Sequence, residues 1–287
     1  MSPAKKYYSV RVGKNPLASN VGLDVLLRLF KDIYMGFSRK EYFQEAFGFY
    51  CVDAGEVPGN LGTDIESQML RKLRKRNLWP IHTSCEKYTE DDLFDVIEFL
   101  YDHISKPLDG YFHNYNECGW HYDTFNADDG RKEFRDEIND ILQDYKEGYE
   151  LSANGEILAL SEKGLESLLQ ANLPSRDPEN IENRVNNAVL KFRRYRSSMD
   201  DRRDAIRDLA DVLEFLRPKL KTVITRNDEN DLFNIANNFG IRHHNDSQKT
   251  EYEKAIWYSW MFYYYLATIH ATLRLIENHE KDSLSGK

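Results

Sequence analysis

The sequence lacks a long apolar run and the apolar core of a signal peptide, and both absences limit where the chain can act. No window of about 18 residues is apolar throughout, as a membrane-spanning helix would require. The most apolar run, residues 255–269, includes Ser259 and three consecutive tyrosines, which is typical of a buried helix. Near the N-terminus, Lys5 and Lys6 are followed by two tyrosines and not by the apolar stretch of a signal peptide. We therefore expect a soluble, cytoplasmic protein with no membrane partner.

Cysteine and basic charge are also scarce. The three cysteines, Cys51, Cys85 and Cys118, are odd in number and far apart, which predicts reduced thiols rather than a disulfide framework. The formal net charge is −9, whereas a protein that binds nucleic acid over much of its surface is usually basic. The phosphate-binding loop, the dinucleotide-binding glycine pattern, the serine nucleophile elbow and the zinc-protease helix motif are absent. We therefore predict no cofactor.

The sequence is rich in amphipathic helical patterns. Hydrophobic residues make up 41% of the chain and aromatic residues 13%, which is enough for a large buried core. The predicted helices include residues 21–35, 89–104, 131–145, about 178–196, 199–220, 228–238 and 249–279. These patterns predict a mainly α fold.

Strand patterns are short and few. Residues 7–12 alternate like a strand. Residues 149–152 and 156–160 flank Asn154-Gly155, which is a strong signal for a β-hairpin. Residues 106–130 show no regular period, and we predict an irregular segment there.

The composition also predicts two domains. Residues 173–178 contain two prolines among polar residues, which is typical of a linker. We predict a helical N-terminal domain with a small β-hairpin over residues 1–173. A C-terminal helical bundle is predicted over residues 176–287.

The best candidate for a catalytic site is a polar segment just before the last predicted helix. Arg242 could bind a scissile phosphate, and His243 or His244 could transfer protons when an RNA 2′-hydroxyl attacks. Asn245 and Asp246 could orient the imidazoles. A helix N-terminus also favours an anion. The alternative is a polar loop whose side chains satisfy backbone groups or meet solvent.

Two basic clusters offer a second candidate surface. Lysines and arginines are concentrated at residues 71–76 and 191–196, near the ends of two predicted helices. Either cluster could follow a phosphate backbone. Cations in the last turn of a helix also interact favourably with the negative, C-terminal end of the helix dipole. A purely structural role for both clusters is therefore the alternative.

A third pattern concerns metal ligands. His82 and Cys85 form one pair with a two-residue spacer, and Cys118 and His121 form another. If the two loops meet, the four side chains could coordinate zinc tetrahedrally. Such pairs also arise by chance in a chain with three Cys and eight His, so zinc stays an open alternative.

Several stretches carry a family resemblance. Phe134-Arg135-Asp136-Glu137-Ile138-Asn139 and the segments at 145–151 and 155–157 resemble the N-terminal domain of abortive-infection proteins of the AbiJ type. Cys118-Gly119-Trp120-His121-Tyr122 is similar to part of the same pattern. The resemblance covers roughly residues 15–172.

The C-terminal third resembles the helical HEPN domains (higher eukaryotes and prokaryotes nucleotide-binding) that are often fused to that domain. Many HEPN domains are metal-independent ribonucleases that act as dimers. The resemblance therefore implies a toxic antiphage effector that acts on RNA as an endoribonuclease. It also implies a homodimer with a composite Arg/His site and, as a further candidate, a partner defence protein.

The spacing of the Arg/His motif leaves alternatives open. The HEPN motif places His four to six residues after Arg, whereas Arg242 is followed at once by His243 and His244. The segments 274–279 and 76–82 fit the spacing but lie elsewhere, and about two such matches arise by chance. One alternative is a non-catalytic HEPN-like module that binds nucleotide, nucleic acid or a partner protein. Another is that the aromatic last helix forms a dimer interface.

Overall fold

A computed structural model describes residues 7–15, 21–161, 164–175, 177–225, 227, 229–230, 232–233 and 253–284. In these ranges the chain is mainly helical, with small two-stranded antiparallel sheets, which confirms the predicted fold class. None of the described helices has both the length and the apolar character needed to cross a bilayer.

The elements of the described residues follow in chain order. The helices are α1 (Tyr8–Arg11), α2 (Leu23–Arg39), α3 (Gln44–Phe47), α4 (Ile65–Leu73), α5 (Ile81–Ser84), α6 (Glu90–His103), α7 (Ala127–Leu142), α8 (Glu166–Gln170), α9 (Asn183–Arg193), α10 (Met199–Leu220) and α11 (Lys254–Leu284). Two 3-10 turns span Cys85–Lys87 and Tyr115–Glu117, and a π-helical turn spans Pro178–Glu182. The strand pairs are β1 (Phe49–Cys51) with β2 (Gly55–Val57), β3 (Lys106–Pro107) with β6 (Phe125–Asn126), β4 (Gly110–His113) with β5 (Gly119–Tyr122), and β7 (Tyr149–Leu151) with β8 (Ile157–Ala159).

The chain divides into two compact units. Unit 1 is Met1–Leu160 and unit 2 is Ser161–Lys287. Leu173, at the start of the predicted linker, packs against the hydrophobic core of unit 2. The predicted boundary between residues 173 and 176 stays a prediction.

Unit 1 has its main core where α2, α6 and α7 pack together. The buried apolar residues of α2 recur every three or four positions, so they form one face of the helix. Phe37 of that face contacts Phe134 of α7 edge to face, with ring centroids 5.5 Å apart. At the start of α6, Thr89 and Asp92 form a capping box. Helix packing therefore fixes the scaffold on which the smaller sheets are placed.

The predicted hairpin around Asn154-Gly155 is confirmed as β7 and β8. Gly155 has a φ of +82°, and a Cβ there would lie 2.6 Å from the Tyr101 ring, so only glycine fits. The Tyr101 hydroxyl donates to the carbonyl of Ala153 at 2.7 Å. Asn139 of α7 bonds both backbone groups of Leu151. These contacts attach the hairpin to the helical core.

Unit 2 is a bundle in which α10 packs against α9 and α11. Ser198 and Asp201 form a capping box at the start of α10, which confirms the predicted helix over residues 199–220. Phe192 of α9 stacks on Phe262 of α11 with ring centroids 4.0 Å apart. The last helix runs to Leu284, further than the predicted end at residue 279.

Two local predictions were wrong. The segment predicted as a strand at residues 7–12 contains the short helix α1, in which the Arg11 amide bonds the Tyr7 carbonyl at 3.0 Å. The helical turn satisfies these groups locally, whereas a strand needs a neighbour. Residues 106–130, predicted to be irregular, hold β3 to β6. Their strands are too short for a visible period.

Candidate metal centre

Four side chains from different parts of unit 1 converge on one point. They belong to Cys51 at the end of β1, His113 at the end of β4, Cys118 in the turn before β5, and His121 in β5. Each offers one ligand atom, and these four atoms all lie within 4.8 Å of one another. Cys51 and His121 are buried, and the other two are half-buried. This is the arrangement expected of a metal centre.

The pairing of β4 with β5 sets the two histidines on one face. Tyr111 lies opposite His121, and His113 lies opposite Gly119. Because side chains alternate across a strand, Tyr111, His113 and His121 all project to the same side of this hairpin. The buried side chain of Gln44 holds β5 in place. It donates a hydrogen bond to the carbonyl of Trp120 at 2.9 Å and accepts one from the amide of Tyr122 at 2.7 Å.

Contacts with β1 bring the cysteines to this face. The ring of Phe49 lies 4.4 Å from the imidazole of His121, centroid to centroid. Cys118 Sγ lies 3.8 Å from the carbonyl oxygen of Tyr50. These contacts place the hairpin of β4 and β5 against the end of β1, where Cys51 is located.

The distances within the cluster fit tetrahedral zinc. Cys51 Sγ lies 3.7 Å from His113 Nδ1, and Cys118 Sγ lies 3.2 Å from His121 Nε2. Zinc bonds of about 2.3 Å to sulfur and about 2.0 Å to nitrogen give a tetrahedral S–N edge of about 3.6 Å. Two thiolates and two imidazoles are also a donor set that favours zinc over magnesium or calcium.

Outer hydrogen bonds orient both imidazoles. His113 Nε2 lies 3.2 Å from Asp53 Oδ2, which leaves Nδ1 to face the cluster. His121 Nδ1 lies 2.9 Å from the Tyr111 hydroxyl, which leaves Nε2 to face the cluster. Metal-bound histidines commonly bond a carboxylate or another oxygen through the second ring nitrogen, because this fixes the ring and its tautomer. Both histidines therefore have the environment of a ligand.

Four protein ligands complete a tetrahedron and leave no open position. A catalytic zinc ion usually has three protein ligands and one water or substrate. The cluster therefore fits a structural ion that links β1 to the hairpin of β4 and β5. The chemistry available to it is cross-linking, not activation of water.

The structure brings together only two of the four side chains that sequence spacing combined as an alternative zinc site. Cys118 and His121 belong to the cluster, and its other two members are Cys51 and His113. Cys85 lies in a 3-10 turn packed against α2, and burial raises the pKa of its thiol, which disfavours the thiolate form that binds metal. His82 is exposed on α5. A signal for Cys51 and His113 was their position beside the turns of two hairpins.

The predicted Arg/His site, Arg242, His243, His244, Asn245 and Asp246, lies outside the described residues. Its geometry is untested, and catalysis by these side chains stays a prediction.

The two basic clusters contain charges that already have acidic partners. Lys75 lies 3.0 Å from Asp92 and 2.7 Å from Asp95. Lys191 lies 2.5 Å from Asp208. These ion pairs favour a structural role for at least part of each cluster, while phosphate binding by the remaining cations stays a prediction.

Comparison with family models, with curated proteins and with solved structures finds no match to this chain.

We predict that the outer hydrogen bonds strengthen metal binding. Asp53→Asn and Tyr111→Phe should each weaken zinc affinity about tenfold, because the first removes the charge of the carboxylate beside His113 and the second removes the hydroxyl that bonds His121. A competition titration against a chromophoric chelator measures this. Glu56→Gln is the matched control, since it removes an exposed carboxylate from neighbouring β2 without touching a ligand. Unchanged affinity in both test variants would contradict this assignment of the outer contacts.

Proposed function

We propose that the chain binds one zinc ion through Cys51, His113, Cys118 and His121, and that this ion stabilises unit 1. The convergence of two sulfur and two nitrogen atoms within 4.8 Å carries the proposal. The orientation of both imidazoles by Asp53 and Tyr111 supports it. Zinc would join residues 62 positions apart in the chain, Cys51 and His113.

The local structure gives the ion a clear energetic role. The sheet of β4 and β5 has two strands in the described structure, and an isolated two-stranded hairpin is marginally stable in water. Metal binding to the folded form alone stabilises it, by about 4 kcal/mol when free zinc exceeds its Kd about 1,000-fold. The ion thus supplies stability that this small sheet cannot obtain from its own core.

We predict about one zinc ion per purified chain, measured by plasma mass spectrometry. Cys118→Ser and His121→Asn should lose the ion, and a chelator should lower the Tm of the wild type by about 10 °C. His82→Asn and Cys85→Ser are the matched controls, because they replace the same residue types outside the cluster.

Two results would contradict the metal proposal. One is a wild-type chain that takes up no zinc after refolding with the ion. The other is equal zinc content in the wild type, Cys118→Ser and His121→Asn. A lower Tm in Cys85→Ser with full zinc content agrees with the proposal, since that thiol is fully buried.

We also propose, as a second function, that the whole chain is an antiphage effector that cleaves RNA. The AbiJ-type and HEPN resemblances support this, as does the bundle of α9, α10 and α11 in unit 2. Arg242 would bind phosphate, and His244 or His243 would transfer protons. The segment ends eight residues before α11 begins at Lys254, which agrees with a position near the start of the last helix. RNA is then the substrate, and a homodimer completes the site.

Growth of a bacterial host tests the RNA proposal. We expect wild-type expression to slow growth and fragment total RNA, and Arg242→Ala and His244→Ala to abolish both effects at matched soluble levels. The control is His279→Ala, which removes a histidine from the end of α11. Fragmentation that persists in both test variants would contradict this site. Binding of RNA without cleavage by wild-type protein would favour the non-catalytic module.

A further inference from the structure

The hairpin of β4 and β5 has a second face, opposite the metal ligands. Phe112 and Trp120 lie opposite each other across the strands, with ring centroids 5.7 Å apart. Trp120 also stacks on Tyr122 at 5.6 Å. We name these three rings the aromatic face. It forms a continuous row of rings on the side of the hairpin away from the cluster.

Two of the three rings of the aromatic face are open to solvent, and Tyr122 is half-buried. Phe112 is 53% exposed and Trp120 is 47% exposed. Adjacent exposed aromatic rings are candidates for a site of interaction. Aromatic rings are also enriched among the residues that dominate binding energies at interfaces. The face therefore has the composition of a docking surface.

The sequence segment that forms the hairpin carries charge of one sign. Residues 107–130, which contain the whole hairpin, include five acidic residues and no Lys or Arg. Asp109 and Asp123 are exposed at the open end of the hairpin, where their backbones are hydrogen-bonded at 2.8 Å. The hairpin segment is thus acidic, with two exposed carboxylates at its open end.

We propose that the aromatic face docks an arginine-rich segment of a partner protein. A guanidinium group binds the face of an indole or phenyl ring through a cation–π contact. The carboxylates at the open end of the hairpin complement its charge. Single-stranded nucleic acid also stacks on aromatic rings. Its phosphates would be repelled by the acidic hairpin segment, so the charge selects the basic peptide.

This proposal rests on the proposed zinc site, because the ion would hold His113 and His121 on the opposite face of the same strands. A fixed hairpin presents its rings in one arrangement, which lowers the entropy lost on binding. The partner would contact the aromatic face and leave the metal ligands untouched.

The test uses the full chain and a fluorescein-labelled peptide of alternating Arg and Gly, with binding followed by anisotropy. Phe112→Ala and Trp120→Ala should each weaken binding about fivefold through loss of a cation–π contact. Trp257→Ala, in unit 2, is the matched aromatic control and should bind like the wild type.

The double variant Asp109→Asn/Asp123→Asn should also bind the peptide more weakly, and its binding should lose part of the salt dependence.

Exposed carboxylates on α7 control for net charge. Asp136→Asn/Asp140→Asn makes the same change in charge away from the hairpin and should leave binding unchanged. Equal losses in the two double variants would overturn the proposal, as would wild-type affinity in both Phe112→Ala and Trp120→Ala. Tighter binding of a labelled oligouridine than of the peptide would overturn it in favour of nucleic acid.

Zinc content, measured on every preparation, separates this proposal from the one on which it rests. Peptide binding that fails in zinc-loaded wild type overturns the docking face alone. A wild type that binds no zinc overturns the metal proposal, whatever the peptide does.

Discussion

The contact among two sulfur atoms and two ring nitrogens is the constraint on which the β-rich part of unit 1 depends. Asp53 and Tyr111 occupy the outer nitrogens of His113 and His121, so the inner nitrogens turn towards Cys51 and Cys118. In the proposed site, one zinc ion binds all four atoms at once and so links β1 to the hairpin of β4 and β5. The opposite face of that hairpin stays free to present its aromatic rings.

The two units reach stability by different means. In unit 2, α9, α10 and α11 bury a continuous apolar core, with capping at Ser198 and ring stacking between Phe192 and Phe262. Unit 1 also has a helical core, and β7 joins it through α7. The hairpin of β4 and β5, in contrast, exposes Phe112 and Trp120. Hydrophobic burial scales with the apolar area removed from water, and strands of three or four residues remove little. The proposed metal cross-link would supply this stability at the hairpin of β4 and β5.

Sequence patterns predicted the helical framework better than the site. Capping at Thr89 and Ser198 and the Asn154-Gly155 turn are local signals, because the interacting residues lie within a few positions of one another. The metal ligands are not local. Cys51 meets His113 only because the hairpin of β4 and β5 packs on β1, and no spacing rule encodes that contact. Cys85 has the right side chain but lies in a turn packed against α2 and is not among the four converging residues.

The most direct test of the account is X-ray absorption at the zinc edge of the purified, zinc-loaded chain. The account predicts two sulfur neighbours at about 2.3 Å and two nitrogen neighbours at about 2.0 Å, with the outer-shell scattering of two imidazoles. A first shell of oxygen and nitrogen atoms without sulfur would contradict it, because such an ion would not lie between Cys51 and Cys118. A shell with a water ligand in place of one imidazole would contradict the closed, structural site.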